Sequence, residues 1–171
     1  MTTHYDAIVI GTGQSGPSIA GRLAGAGMKT AVIERKLFGG TCVNTGCIPT
    51  KTMVASAHVA YLARRAAEYG VHTGEVTVDM KKVKARKDAI SCQSRTSVEQ
   101  WLTTMDNCTV YRGRARLESP REVSAGGDRL EADRIFLICK QRIWRTNYGQ
   151  VRTPEGSPRR QAKCPGLRRM P

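Results

Sequence analysis

An α/β fold built on a parallel sheet is what this 171-residue sequence predicts, and three stretches near its start predict it. Tyr5–Gly11 (YDAIVIG) is a short apolar run suited to a strand buried on both faces. Gly11, Gly13 and Gly16 follow as G-T-G-Q-S-G. They lead into PSIAGRLAGAGMK, where Ile19 and Leu23 stand at helical spacing and Pro17 suits a first turn. Gly27 can close that helix, and Thr30–Glu34 (TAVIE) reads as a second buried strand. Strand, glycine turn, helix and strand make one βαβ unit.

The later elements follow in order. Thr50–Glu68 is rich in Ala and Leu and predicts a helix ending near Gly70. From Asp79 to Met105 a long amphipathic helix is expected. Met80, Val83, Lys87, Ile90, Ser94, Val98, Trp101 and Met105 form its buried stripe, with Lys81, Lys82, Lys84 and Arg86 on its solvated side. Cys108–Tyr111 starts a strand. Glu122–Ser124 and Arg129–Leu137 flank Gly126-Gly127-Asp128 as a hairpin. The expected arrangement has three layers, with the helix after Gly16 packed on the sheet and the hairpin as a small antiparallel addition.

Composition sets outer bounds. Hydrophobic residues make up 40% and charged residues 25%, which is an ordinary globular balance. No apolar run approaches the roughly 18 residues of a membrane span. The start MTTHYDAIVIG lacks the basic and small-residue features of a signal peptide, so a cytoplasmic setting without a membrane partner is expected. The net charge of +14 invites a nucleic-acid reading, but it is unevenly spread. Residues 1–138 hold 19 Lys/Arg against 13 Asp/Glu, whereas residues 139–171 hold 9 against Glu155 alone. Two regions are therefore expected: a domain over 1–138, and a basic Arg/Pro-rich tail over 139–171 without sustained periodicity, read as disordered.

The glycine pattern gains meaning from its context. It follows a strand, opens a helix, and is followed 21 residues after Gly13 by an acid, Glu34, at the end of the next strand. Together these make a dinucleotide-binding fingerprint. Gly11 allows the tight turn, Gly13 lets backbone approach a pyrophosphate, and Gly16 permits close helix–strand packing. The helix start offers unpaired N–H groups to phosphates, and Glu34 suits a ribose. NAD and FAD fit this fingerprint equally well.

GGTCVNTGCIPTK, residues 39–51, begins five residues after Glu34 and holds Cys42 and Cys47 in a C-x4-C spacing. This run, in register behind the fingerprint, resembles the redox-active segment of the class I pyridine nucleotide-disulfide oxidoreductases. Those flavoenzymes include dihydrolipoamide dehydrogenase, glutathione reductase and mercuric reductase. The resemblance implies a Rossmann-like FAD-binding domain, with FAD as cofactor and NAD(P)H as reductant in the intact enzyme. It implies that Cys42 and Cys47 form a redox disulfide, Cys42 as the interchange thiol and Cys47 beside the flavin ring. Lys51 falls near the flavin N5 edge, and Gly40 and Thr41 join Gly11, Gly13, Gly16, Glu34, Cys47 and Lys51 in cofactor binding. A helix beginning just after Cys47 would favour its thiolate. Cys92 and Cys108 are expected as free thiols, and no metal site is expected, since neither they nor His4, His58 and His72 stand at metal-ligand spacing.

The resemblance covers residues 4–137, so the fold is incomplete relative to the family. ICKQR stands where the family carries a small glycine-containing segment, and no second fingerprint follows. The expected function is the N-terminal part of a FAD-dependent NAD(P)H:disulfide-type oxidoreductase, itself inactive in turnover. Its substrate would be a small-molecule disulfide or a metal ion, and the intact family is homodimeric. The tail suggests another reading frame or a fusion. Two other classes compete: a basic nucleic-acid-binding protein, and a single-domain NAD-dependent dehydrogenase, which leaves the cysteine segment without a purpose.

Overall fold

The computed structural model describes residues 2–138; the expectations for the 139–171 tail lie outside the described residues. β1 (Thr2–Ile10), α1 (Gly16–Gly25) and β2 (Thr30–Glu34) form the predicted βαβ unit. Ala7–Ile10 of β1 lies in parallel register against Thr30–Ile33 of β2. Then come α2 (Gly40–Asn44), α3 (Cys47–Arg64), a 3-10 turn over Ala66–Tyr69 and α4 (Met80–Thr103). The strands β3 (Cys108–Arg112), β4 (Ala115–Leu117), β5 (Glu122–Ala125) and β6 (Asp128–Leu137) follow. They complete one six-stranded sheet in the order β3-β2-β1-β6-β5-β4. β3, β2, β1 and β6 run parallel, while β5 and β4 are added antiparallel beyond β6.

β1 is apolar at successive positions because both faces of the sheet are covered. On one face Val9 and Val32 pack with Ala20 of α1, Phe38, and Leu102 of α4. On the other, Tyr5, Ile8, Ile10, Ala31 and Ile33 pack with Val123 and Ala125 of β5 and Leu130 and Ala132 of β6. No helix contributes to this second cluster, yet Val123, Leu130 and Ala132 are at most 1% exposed. The antiparallel ribbon must therefore curl over its own sheet. The third layer is that ribbon. Tyr5 and Tyr111 close the cluster, edge to face, with their hydroxyls 2.8 Å apart.

Several expectations need correction. Trp101 is 48% exposed rather than part of a buried stripe, and Met80 is 60% exposed. The reason is that α4 reaches the sheet only through its last turns, where Leu102 is fully buried and Val98 and Met105 pack against the core. The indole of Trp101 instead lies against α1, where a Cβ on Gly21 would sit 3.1 Å from it. α4 starts as expected, with the Asp79 carboxylate accepting from the amides of Lys81 and Lys82. α3 starts at Cys47, three residues before the Ala/Leu-rich run at Thr50 but in line with a helix beginning beside that cysteine, and α2 and β4 were not expected. Cys92 is disulfide-bonded rather than free, a pairing that spacing along the chain does not reveal; Cys108 is free. Among the described residues no helix is long and apolar enough to cross a membrane.

Two glycines of α1 separate packing from propensity. A Cβ on Gly16 would collide with the carbonyl oxygen of Gly11, whereas one on Gly25 would meet nothing within 4 Å. Gly16→Ala is expected to lower unfolding free energy by about 3 kcal/mol through forced overpacking against backbone. Gly25→Ala is expected to raise it by about 0.5 kcal/mol through helix propensity. Urea denaturation followed by circular dichroism measures both, and equal effects would contradict this assignment.

Candidate functional site

The glycine turn sits at the carboxyl end of β1. Gly11, at φ +102°, turns the chain sharply, and its amide donates to the Ile33 carbonyl at 2.8 Å. Only a residue without a Cβ fits at Gly16, as the collision with Gly11 shows. The Gly16 amide donates to the Gly13 carbonyl at 3.1 Å. Ser15 provides no side-chain cap, and no acid stands in the first turn of α1. Among the described residues the amides of Gly13, Gln14 and Ser15 meet no protein acceptor. Three donors at the positive end of a ten-residue helix thus point to an anion.

Glu34 ends β2 beside this turn. Its Oε2 accepts from the Thr12 amide at 2.9 Å and the Thr12 hydroxyl at 2.7 Å, and its Oε1 accepts from the Lys36 amide at 2.9 Å. Thr12 is fully buried. The carboxylate is therefore held by both neighbouring loops, with further acceptor capacity on Oε1 for a ligand hydroxyl. Sequence reasoning assigned Glu34 and missed Thr12, because a single threonine between two glycines carries no signal until the turn brings it to the acid.

The cysteine segment is anchored on the same turn. Phe38 is 2% exposed, and Gly39 and Gly40 follow with φ of +84° and +59°. A Cβ on Gly40 would lie 2.9 Å from the Cα of Gly13, so backbone rests directly on backbone. α2 then carries Cys42 at its middle, and α3 opens with Cys47, so one thiol lies within a short helix and the other begins a long one. Asn44, also unassigned from sequence, donates through Nδ2 to the carbonyls of Phe38 and Gly40, both at 2.8 Å. Thr41 and Lys51 are exposed.

Cys42 is partly buried and Cys47 exposed; both are free thiols, in hydrogen-bonding contact. The Cys42 thiol is held above its ordinary range, first by its hydrogen bond to the Cys47 side chain, then by desolvation and the charge of the neighbouring sulfur. The Cys47 amide and the Lys51 ammonium pull the other way without reversing the shift. This is a dithiol poised to share a proton, on a helix start, beside an amide-lined turn.

α3 is braced by α4. The Arg86 guanidinium donates at 3.0 Å to the carbonyl of Thr52, the residue after Lys51, and Thr52 is α3's buried residue. On the basic side of α4, Lys84 and Lys87 pair with Asp88, and Lys82 stands 4.0 Å from Asp79.

Comparison with known proteins shows the family and the fold. A family model described as pyridine nucleotide-disulphide oxidoreductase matches residues 5–138. A dihydrolipoyl dehydrogenase of Bacillus subtilis (strain 168) is 39% identical over 120 residues, covering 70% of this chain and 25% of that protein. One from Acholeplasma laidlawii is 35% identical, covering 80% of this chain and 41% of the relative. A mercuric reductase of Bacillus cereus is 32% identical, covering 79% and 21%. Among solved structures, the HOCl-induced flavoprotein disulfide reductase RclA from Escherichia coli superposes with a TM-score of 0.65 at 30% identity, covering 88% of this chain and 30% of that one. The chain thus spans between about a fifth and two-fifths of these relatives' length.

The causes of the Cys42 shift predict opposite responses at two neighbours. Cys47→Ala removes the hydrogen bond and the second sulfur's charge, so the pH midpoint for Cys42 alkylation should fall. Lys51→Met removes the nearby cation, so the midpoint should rise. Iodoacetamide labelling across pH, read by mass spectrometry at Cys42, checks both signs.

Proposed function

The chain belongs to the pyridine nucleotide-disulphide oxidoreductase family, and from that premise we propose that it is the FAD-side, dithiol-bearing part of a FAD-dependent NAD(P)H:disulfide-type oxidoreductase. The observation that carries this reading is the packing of Gly40 on Gly13, which sets the segment bearing both thiols against the amide-lined turn. A lone nucleotide-binding domain has no need of that juxtaposition. A single-domain NAD-dependent dehydrogenase would leave the dithiol idle, and the acid-paired lysines of α4 do not favour a nucleic-acid surface.

The residues present fit FAD. The free amides of Gly13, Gln14 and Ser15 suit its pyrophosphate, and the fixed carboxylate of Glu34 suits its adenosine ribose. A Cβ on Gly40 would lie 2.9 Å from the Gly13 Cα, and one on Gly13 would lie 3.3 Å from the Ile138 carbonyl oxygen, so the backbone at both positions is left bare toward a ligand. When bound, FAD supplies a two-electron carrier between NAD(P)H and a disulfide. The chain's own part is to hold the thiols. Cys42 and Cys47 close to a disulfide and reopen, with Cys42 as the interchange sulfur that meets a substrate disulfide or metal ion and Cys47 as the sulfur nearest the cofactor. Lys51 and the Cys47 amide stabilise the Cys42 thiolate as it forms. Reduction by NAD(P)H, homodimerisation and turnover are assigned to the full-length relatives' architecture, of which this chain supplies the first part.

Two measurements on the purified chain test this. After incubation with oxidised glutathione, alkylation and mass spectrometry should find Cys42 and Cys47 bridged to each other and Cys108 alkylated. Each bridge formed removes two electrons and two protons from the dithiol and yields two molecules of reduced glutathione. Calorimetric titration should give FAD binding no tighter than about 10 µM, weakened further by Gly13→Val, since each lost 1.4 kcal/mol of contact costs tenfold. If Cys42 and Cys47 both remain alkylatable in oxidised protein, the reading is wrong.

A further inference from the structure

We propose that Asn44 is the positioning residue of the dithiol: its side-chain amide clasps α2 closed and so sets the distance at which Cys42 meets Cys47. The proposal rests on the redox reading of that pair and assigns the device that keeps it aligned.

Apart from the seat of Gly40 on Gly13 and the flanking helices α3 and α4, α2 has little to hold it. Five residues are far below the roughly 12–15 at which a helix becomes stable by itself in water. None of its residues is buried, and its N-cap is Gly39 in the left-handed region, which brings no side-chain acceptor. Neither propensity, burial nor capping accounts for its order. The Asn44 Nδ2 does, by donating at 2.8 Å to the carbonyl of Phe38, a core residue, and at 2.8 Å to that of Gly40, the first residue of the helix. Residues 38–44 are thereby tied into one loop whose root is the hydrophobic core and whose crest carries Cys42.

The amide's orientation is decided by its partners, because only an NH2 group satisfies two carbonyls at that distance. Its Oδ1 is then left buried without a hydrogen-bond partner among the described residues. A buried acceptor without a donor opposes folding, so the side chain suits this place for its two donors and not for stability in general. Downstream the span is short. Gly46 passes so close to the Thr41 carbonyl that a Cβ there would lie 3.0 Å from its oxygen, and the next residue, Cys47, turns its amide to the Cys42 sulfur. Any opening of the 38–44 loop moves Cys42 away from both.

The experiment measures the dithiol–disulfide equilibrium of the full chain against glutathione at about pH 6 and pH 8, for wild type, Asn44→Asp and Asn44→Ser. Asp keeps the shape and removes both donors. A carboxyl pressed between two carbonyls is held protonated toward higher pH and then regains one donor. At about pH 8 the Asn44→Asp equilibrium constant should fall about tenfold below wild type, the scale of a lost hydrogen-bonded anchor. At about pH 6 most of that deficit should disappear. Asn44→Ser, which keeps one donor, should lie between the two at both pH values. The proposal is overturned if both variants match wild type within threefold. It is equally overturned if Asn44→Asp loses the equilibrium without recovery at pH 6, which marks general loosening. Should Asn44→Asp fail to fold, Asn44→Ser decides: a constant equal to wild type sinks the idea, a reduced one at unchanged thermal midpoint upholds it. A wild-type chain that forms no bridge would count against the redox reading itself and is seen before any variant is compared.

Discussion

Backbone packed on backbone at the carboxyl ends of β1 and β2 is the constraint on which the rest of the molecule depends. Gly11 meets Gly16 closely enough to exclude any side chain, and Gly13 meets Gly40 at a distance no Cβ tolerates. The first contact draws the start of α1 onto the strand end and aims its free amides outward. The second seats the thiol-bearing segment on the same spot. Glu34, fastened by Thr12 and Lys36, closes the third side. Free amides, a fixed carboxylate and the segment bearing two thiols thus gather at the carboxyl ends of β1 and β2.

Away from that point the chain is less self-sufficient. α3 buries only Thr52, and Met53, Val54, Val59, Tyr61 and Leu62 are all substantially exposed. Its order comes from α4, through packing and the Arg86 bond to the Thr52 carbonyl, rather than from the sheet. The helix that carries Cys47 and Lys51 therefore stands at the edge of the core, fixed at its first turn and braced from one side. Cys47, at the start of that helix, is accordingly exposed.

Much of the fold was legible because its signals are local. Parallel strands covered on both faces must be continuously apolar, and Ala7–Ile10 and Ala31–Ile33 are. A turn needing positive φ and close approach must be glycine, and the spacing of Gly11, Gly13 and Gly16 shows it. The hairpin at Gly126 and Gly127 is visible for the same reason, both having positive φ. What escaped depends on partners distant in sequence. Trp101 and Leu102 are adjacent and both apolar, so periodicity could not tell which meets the sheet and which lies on α1. α2 has no periodic pattern, being held by the Gly40–Gly13 contact and the Asn44 hydrogen bonds rather than by an apolar face. The pairing of Cys92 is likewise invisible in spacing.

The sequence by itself determined the α/β class, the order of the principal elements, the glycine turn after β1 and the placement of the two cysteines behind it, since each rests on residue types whose backbone or chemical requirements are local. Tertiary structure alone decided that Gly40 packs on Gly13, that Thr12 locks Glu34, that the Cys42 thiol is pushed up by its neighbour, and that the antiparallel ribbon makes the third layer. Each of these is a meeting of groups brought together by burial of the sheet's two faces. A close approach between Gly13 and Gly40 has no trace in either residue's own neighbourhood beyond the absence of a side chain.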